Sequence, residues 1–162
     1  MPVQKISESK IIIDYRKKLL PGEVRLDMIP SNFPADRRAV VLEYWNIKDK
    51  VQFLRQNLAR ANNRGNKSQR IGITVDYLYE IGEKQKWKCT LTGDLLEFSR
   101  GGDYWGGKWS NPKSCTIDRI DSNKGYVKGN IQLVTWQVNF AKSSVDNDDF
   151  IELCKKVAKY NK

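Results

Sequence analysis

Apolar residues recur along this chain in two rhythms, one helical and one alternating. Pro34 opens the first helical stretch, a position suited to a proline in a first turn. Val40, Val41, Tyr44 and Trp45, then Ile47, Val51, Leu54, Leu58 and Ala61, follow at three- and four-residue steps, which predicts an amphipathic helix. Asn62, Asn63, Gly65 and Asn66 end it. A second helix is predicted from Thr74 as N-cap, with Asp76 in the first turn and Val75, Leu78 and Ile81 on one face, to about Lys86. Trp87, Cys89 and Leu91 then alternate into the 92–94 turn, and Leu95, Leu96 and Phe98 leave it, predicting a bracing hairpin. A second hairpin is predicted from the alternating run 116–121, the Gly- and Lys-rich turn 122–129 and the apolar run 131–136. A helical step bearing Asn139 and Lys142 follows it. Asp146 or Asn147 caps the last helix, acids fill its first turn and lysines its last, and Phe150, Leu153, Cys154 and Val157 form a stripe expected to be buried. The order of elements predicts an α+β fold. In residues 1–33 the apolar groups, such as Ile11, Ile12 and Ile13, separate neither strand from helix, and this appendage receives no chemistry.

Charge changes the picture more than composition does. The chain has 162 residues, 40% hydrophobic and 30% charged, which is globular composition and enough for one domain with a core. We take 34–162 as that domain, divided into a basic helical arm at 34–70 and a core at 71–162. The formal net charge is +10, a field that draws polyanions, nucleic acid first among them. Between Lys48 and Arg70 seven basic residues face the single acid Asp49. Arg55, Arg60, Arg64, Lys67 and Arg70 from this run are candidates for phosphate contact. The alternative is a solvated helix face. Residues 99–114 hold four glycines, Tyr104, Trp105, Trp109 and Lys108, a loop whose rings can stack on bases or fold back over a small core. With three cysteines, no histidine and no Cys-x-x-Cys spacing, a structural zinc is not expected. Hydrogen bonding or packing must then hold the Cys89–Thr92 step. No apolar stretch is long enough for a bilayer span and the opening decapeptide lacks the apolar core of a secretion signal, so reduced thiols in a cytoplasmic setting are expected.

The stretch CTIDRIDSNKGYVKGNIQLVTWQVNFAK, residues 115–142, carries the candidate chemistry. Asp118 and Asp121 lie three apart on a short strand and so fall on opposite faces. In its order of residues the stretch resembles the ββα-metal hairpin of HNH-like endonucleases. More narrowly it is similar to a phage and bacterial branch with Cys-x-x-Thr-Gly, Asp-Arg-Ile-Asp, Lys-Gly-Tyr and Gly-Asn steps, over roughly residues 71–157. The resemblance implies a hairpin–helix core with flanking helices and a phosphodiester hydrolase. It implies Asp118 and Asn139 as ligands of Mg²⁺ or Mn²⁺, Asn130 as the residue that pins the hairpin, and Arg119 where most of the family has its general-base histidine. It also places the protein in a bacterial or phage-infected cell.

An arginine stays protonated and accepts no proton, so Arg119 would clamp phosphate or stabilise the transition state. Asp121 is either a further ligand and proton acceptor or a cap of the turn. Asn130 is read first as a tie across the loop. Lys142 either contacts phosphate or is simply exposed. The partner expected is DNA, with RNA as the alternative, and no membrane. Two rival classes remain: a nucleic-acid-binding module with the same fold and no catalysis, and a basic protein-interaction factor.

Overall fold

The computed structural model describes residues 35–64, 72–99 and 111–162, with side chains of the first stretch described over 46–61. The expectations for residues 1–33 and for the aromatic groups of the 99–114 loop lie outside the described residues. The described part is mixed α+β, with four helices and one two-stranded antiparallel sheet. Helix α1 is Ala35–Arg64 and α2 is Val75–Lys84. Strands β1 (Cys115–Arg119) and β2 (Ile131–Thr135) come next, then α3 (Trp136–Lys142) and α4 (Asn147–Tyr160). Among the described residues no helix is long and apolar enough to cross a membrane.

The core forms where the two predicted rhythms meet. Ile47, Val51 and Leu54 of α1 are buried with Leu78 of α2 and with Ile117, Leu133 and Val134 of the strands. Leu58 packs at the margin of this cluster, so the part of the α1 stripe from Ile47 to Leu58 faces the core as its spacing predicts. The side chains of Val40, Val41, Tyr44 and Trp45 lie outside the described residues. Asn57 fastens the helix to the sheet by donating from Nδ2 to the Cys115 carbonyl at 2.8 Å. In α2, the Thr74 hydroxyl accepts from the Tyr77 amide, so the expected cap is in place.

The predicted hairpin at 87–98 is reduced to isolated bridges, Lys88 with Leu95 and Glu97 with Ser114. Cys89 donates its amide to the Asp94 carbonyl and Leu96 donates to that of Trp87, which makes the Lys88–Leu95 bridge. The turn closed by the Gly93 amide on the Cys89 carbonyl follows directly and leaves no length for a longer ladder. Within the turn the Cys89 thiol is buried. Burial pushes its pKa up, but donors from the Thr92 hydroxyl and from the amides of Thr135, Thr92 and Leu91 outweigh this and hold it below the usual thiol value. Backbone bonds between Cys89 and Asp94 and between Gly93 and Cys89, with the Thr92 hydroxyl donating to Asp94, hold the Cys89–Thr92 step. Cys115 receives no such compensation, and burial pushes its thiol up to about 12.

Before this turn the chain takes two consecutive left-handed residues, Lys86 (φ 53°) and Trp87 (φ 56°), a conformation that disfavours side chains. The turn is held because Trp87 donates its amide to the Gly82 carbonyl at 2.8 Å and its indole N–H to Glu83. The ring meets Tyr79 and Phe98 edge to face at 4.9 and 5.3 Å between centroids, with the Lys50 ammonium 4.3 Å from its own centroid. Burial lowers the Lys50 pKa against the raising effect of Glu83.

Gly82 lies directly under that indole, and a Cβ there would overlap its six-membered ring. Gly82→Ala therefore sets about 1 kcal/mol of helix propensity against an overpacking cost of about 1–3 kcal/mol. The ring is held on several sides, so overpacking wins and the urea midpoint falls at unchanged slope. A raised midpoint would show that the indole moves aside without cost.

Candidate functional site

The site is built where β1, β2 and α3 meet, on the sheet face that carries Asp118. The antiparallel register sets Asp118 opposite Gln132 and Arg119 opposite Ile131. Cross-strand partners share a face, and the Gln132 amide donates to Asp118 Oδ2 at 2.8 Å. Helix α3 starts directly after β2, with the Thr135 hydroxyl accepting from the Val138 amide at 3.4 Å as its cap. Its last turn brings Lys142 onto β1, where Nζ lies 3.2 Å from Asp118 Oδ2 and 2.8 Å from the Arg119 carbonyl. Lys142 is 0% exposed and Asp118 is 4% exposed. The lysine expected to be exposed or to touch phosphate is therefore an internal cation, because Asp118 supplies its counter-charge and the Arg119 carbonyl a further acceptor.

The network continues outward. Gln132 also donates to Asn147 Oδ1 at 2.8 Å, and Asn147 returns a bond to Gln132 Oε1 at 3.2 Å. An amide pair from β2 and the start of α4 thus backs the carboxylate. Asn139, one turn before Lys142 on the same side of α3, donates from Nδ2 to the Ile117 carbonyl at 3.3 Å. That bond leaves its Oδ1 unbonded among the described residues. Helix α3 thereby sets Lys142 on Asp118 and Asn139 on the carbonyl of the adjacent Ile117, each across more than 20 residues of chain.

The remaining candidates lie around the loop between the strands. Asn130 accepts the Asp121 amide on Oδ1 and donates from Nδ2 to the carbonyls of Asp121 and Gly125, clasping the loop at three points. Asp121 accepts the Asn123 amide at 2.9 Å and pairs with Lys124 at 2.9 Å. Hydrogen bonding to Lys124 and to the Asn123 amide holds its carboxyl below the usual carboxylate range. This is the turn-capping geometry. Arg119 donates from Nη1 to the Ser122 carbonyl at 3.0 Å, with its guanidinium 5.5 Å from the Tyr126 ring centre. Strand alternation sends it to the face opposite Asp118, so these neighbours in sequence do not share a pocket.

Of the residues expected to meet nucleic acid, Arg55 is half-buried and Arg60 exposed on α1. The side chain of Arg64, and Lys67, Arg70 and Lys108, lie outside the described residues.

Oxygen donors suit a hard divalent ion, and Asp118 with Asn139 offers one anionic and one neutral oxygen. Among the described residues no group of three or more His, Cys, Asp or Glu side chains is placed to hold a metal. A metal at this position would therefore rest on these two donors and water, and would have to share Asp118 with Lys142. Gln132 and Asn147 are the network members that the sequence reading missed. The signal for Gln132 was available: a lone amide inside the apolar run 131–136 needs a buried partner.

The Asp118–Lys142 pair makes a direct prediction. Lys142→Met leaves a buried carboxylate without its cation and costs about 3–5 kcal/mol in urea unfolding. The double variant Asp118→Asn/Lys142→Met loses markedly less than the sum of the two single variants. Additive losses would show that the two groups do not depend on each other. Comparison of the chain with models of protein families, with curated proteins and with solved structures finds no match to any of them.

Proposed function

We propose that this protein is a divalent-metal-dependent endonuclease of the HNH-like kind, hydrolysing phosphodiester bonds in DNA on a ββα-metal hairpin–helix core. The observation that supports this reading is that α3 sets Lys142 on Asp118 and Asn139 on the adjacent Ile117 carbonyl, beside a loop clasped by Asn130. These residues stand in the order that the resemblance requires. Asp118 and the amide oxygen of Asn139 would hold Mg²⁺ or Mn²⁺. The bound ion would supply Lewis-acid polarisation of the phosphate and a more acidic water.

The other residues have roles that follow from their charge and position. Lys142 holds Asp118 in place through their ion pair. Gln132, held by Asn147, fixes the orientation of the carboxylate. Arg119 remains a cation and cannot act as base, so its part is to attract phosphate from the loop side of the hairpin. Asp121 is the ionised carboxylate of that loop, committed to Lys124 and the turn. Exposed Arg60 on α1 extends the positive field that holds the DNA backbone.

One observation favours a second reading, a DNA-binding module without catalysis: Asp118 is already neutralised by Lys142 and almost fully buried. Supercoiled-plasmid cleavage with Mg²⁺ or Mn²⁺, set beside chelator, separates the two. We expect metal-dependent nicking that falls to background in Asp118→Asn and in Asn139→Ala, both checked by melting for an intact fold. No cutting, with DNA binding unchanged in chelator and weakened steeply by salt, would replace the nuclease with the binding module.

A further inference from the structure

Helix α4 holds the main departure of the structure from the hydrophobic pattern. The stripe Phe150, Leu153, Cys154 and Val157 is expected to be buried, yet only Phe150 packs against the core. Leu153 is 52% exposed and Val157 55% exposed, and the Cys154 thiol is also exposed. Among the described residues the helix is attached by its beginning alone. Asp146 accepts the Ser122 amide at 2.7 Å, Asn147 donates its amide to the Ile120 carbonyl at 3.3 Å, and every residue from 151 to 162 is exposed. Asp146 is spent on the loop and makes no side-chain cap bond to its own helix.

Such a helix lacks the usual source of helical stability. At 14 residues it is near the length at which an isolated helix is marginal in water, about 12–15 residues, and burial of an apolar face normally makes up the difference. Its charges indicate what covers that face. Asp148, Asp149 and Glu152 occupy the first half, and Lys155, Lys156 and Lys159 the second, with no acid after Glu152 and no lysine before Lys155. Two such helices laid antiparallel set the acidic half of each against the basic half of the other, while their stripes meet between them. A parallel arrangement would set like against like.

We infer that the exposed stripe of α4 is a self-association surface on which a second copy of this chain docks its own α4 antiparallel, related by a two-fold axis. In that arrangement each residue pair occurs twice. Asp149 and Lys156 each directly precede a stripe residue, Phe150 and Val157, and so flank the seam on the same side. They are seven positions apart, beyond the three- and four-residue spacing that pairs side chains within one helix, and they meet across the dimer. The helix is about 21 Å long, and one such pair buries less than the ~800 Å² per partner of a standard interface. Association in the micromolar range is therefore expected. The inference is independent of whether the site cuts DNA.

Sedimentation velocity on the full chain, from low micromolar to several hundred micromolar, tests this. We expect a monomer–dimer equilibrium that Leu153→Glu abolishes, with circular dichroism showing the fold retained. Asp149→Lys and Lys156→Asp each place like charges face to face twice and weaken self-association by about tenfold or more. Mixing these two variants puts opposite charges at both contacts, and the heterodimer forms at wild-type strength. A role confined to one chain would give no recovery on mixing. A wild-type chain that stays monomeric throughout, as it would if another part of the same chain or a different protein covers the face, overturns the inference. So does a dimer indifferent to Leu153→Glu, or a mixture no stronger than its components.

Discussion

The arrangement of the site depends on one buried ion pair. An ammonium at zero exposure is tolerated only if its charge is met inside the protein, and Asp118 with the Arg119 carbonyl meets it. Because Lys142 ends α3 and Asp118 lies on β1, satisfying the charge also fixes the angle at which the helix crosses the sheet. Gln132 and Asn147 extend the same requirement to β2 and to the start of α4. Four elements are thus positioned by the need of two opposite charges for one another. Buried polar groups of this kind contribute little net stability but disfavour arrangements that would leave one of them alone.

The same pair gives the proposed metal chemistry its particular character. A carboxylate held by a lysine and a glutamine is oriented, but it is not freely offered. A divalent ion held by Asp118 would share that carboxylate with the Lys142 ammonium. Arg119 contributes positive charge from the opposite face of the strand and is not a substitute base.

Local chemistry made much of the fold legible. Thr74 as a cap, the stripe of α1 and the hairpin around a Gly- and Lys-rich turn depend on near neighbours, and they stand where the spacing puts them. The Asn130 clasp follows from a similarly local need to satisfy loop backbone. What escaped the sequence was tertiary. Lys142 looks like an ordinary surface lysine until β1 is brought beneath it. The stripe of α4 is plain in the pattern, but a stripe says that something covers it, not that the covering group belongs to the same body. The 87–98 hairpin is shortened to a single antiparallel bridge because alternation alone does not count how many residues the turn consumes.

Gln85 carries a further consequence. Its side-chain amide donates to the Leu133 carbonyl and accepts the Leu133 amide, both at the free edge of β2, while also donating to the Lys88 carbonyl. The amide of Thr90 and its hydroxyl also donate to the Leu133 carbonyl. One glutamine side chain thus imitates the backbone of a third strand at the centre of the sheet's edge. With its centre occupied in this way, the edge of β2 offers no continuous ladder to a strand from a neighbour. A chain in which that amide were lost could keep its core intact and yet become prone to misassembly, so the damage would be visible in its solubility before it was visible in its melting.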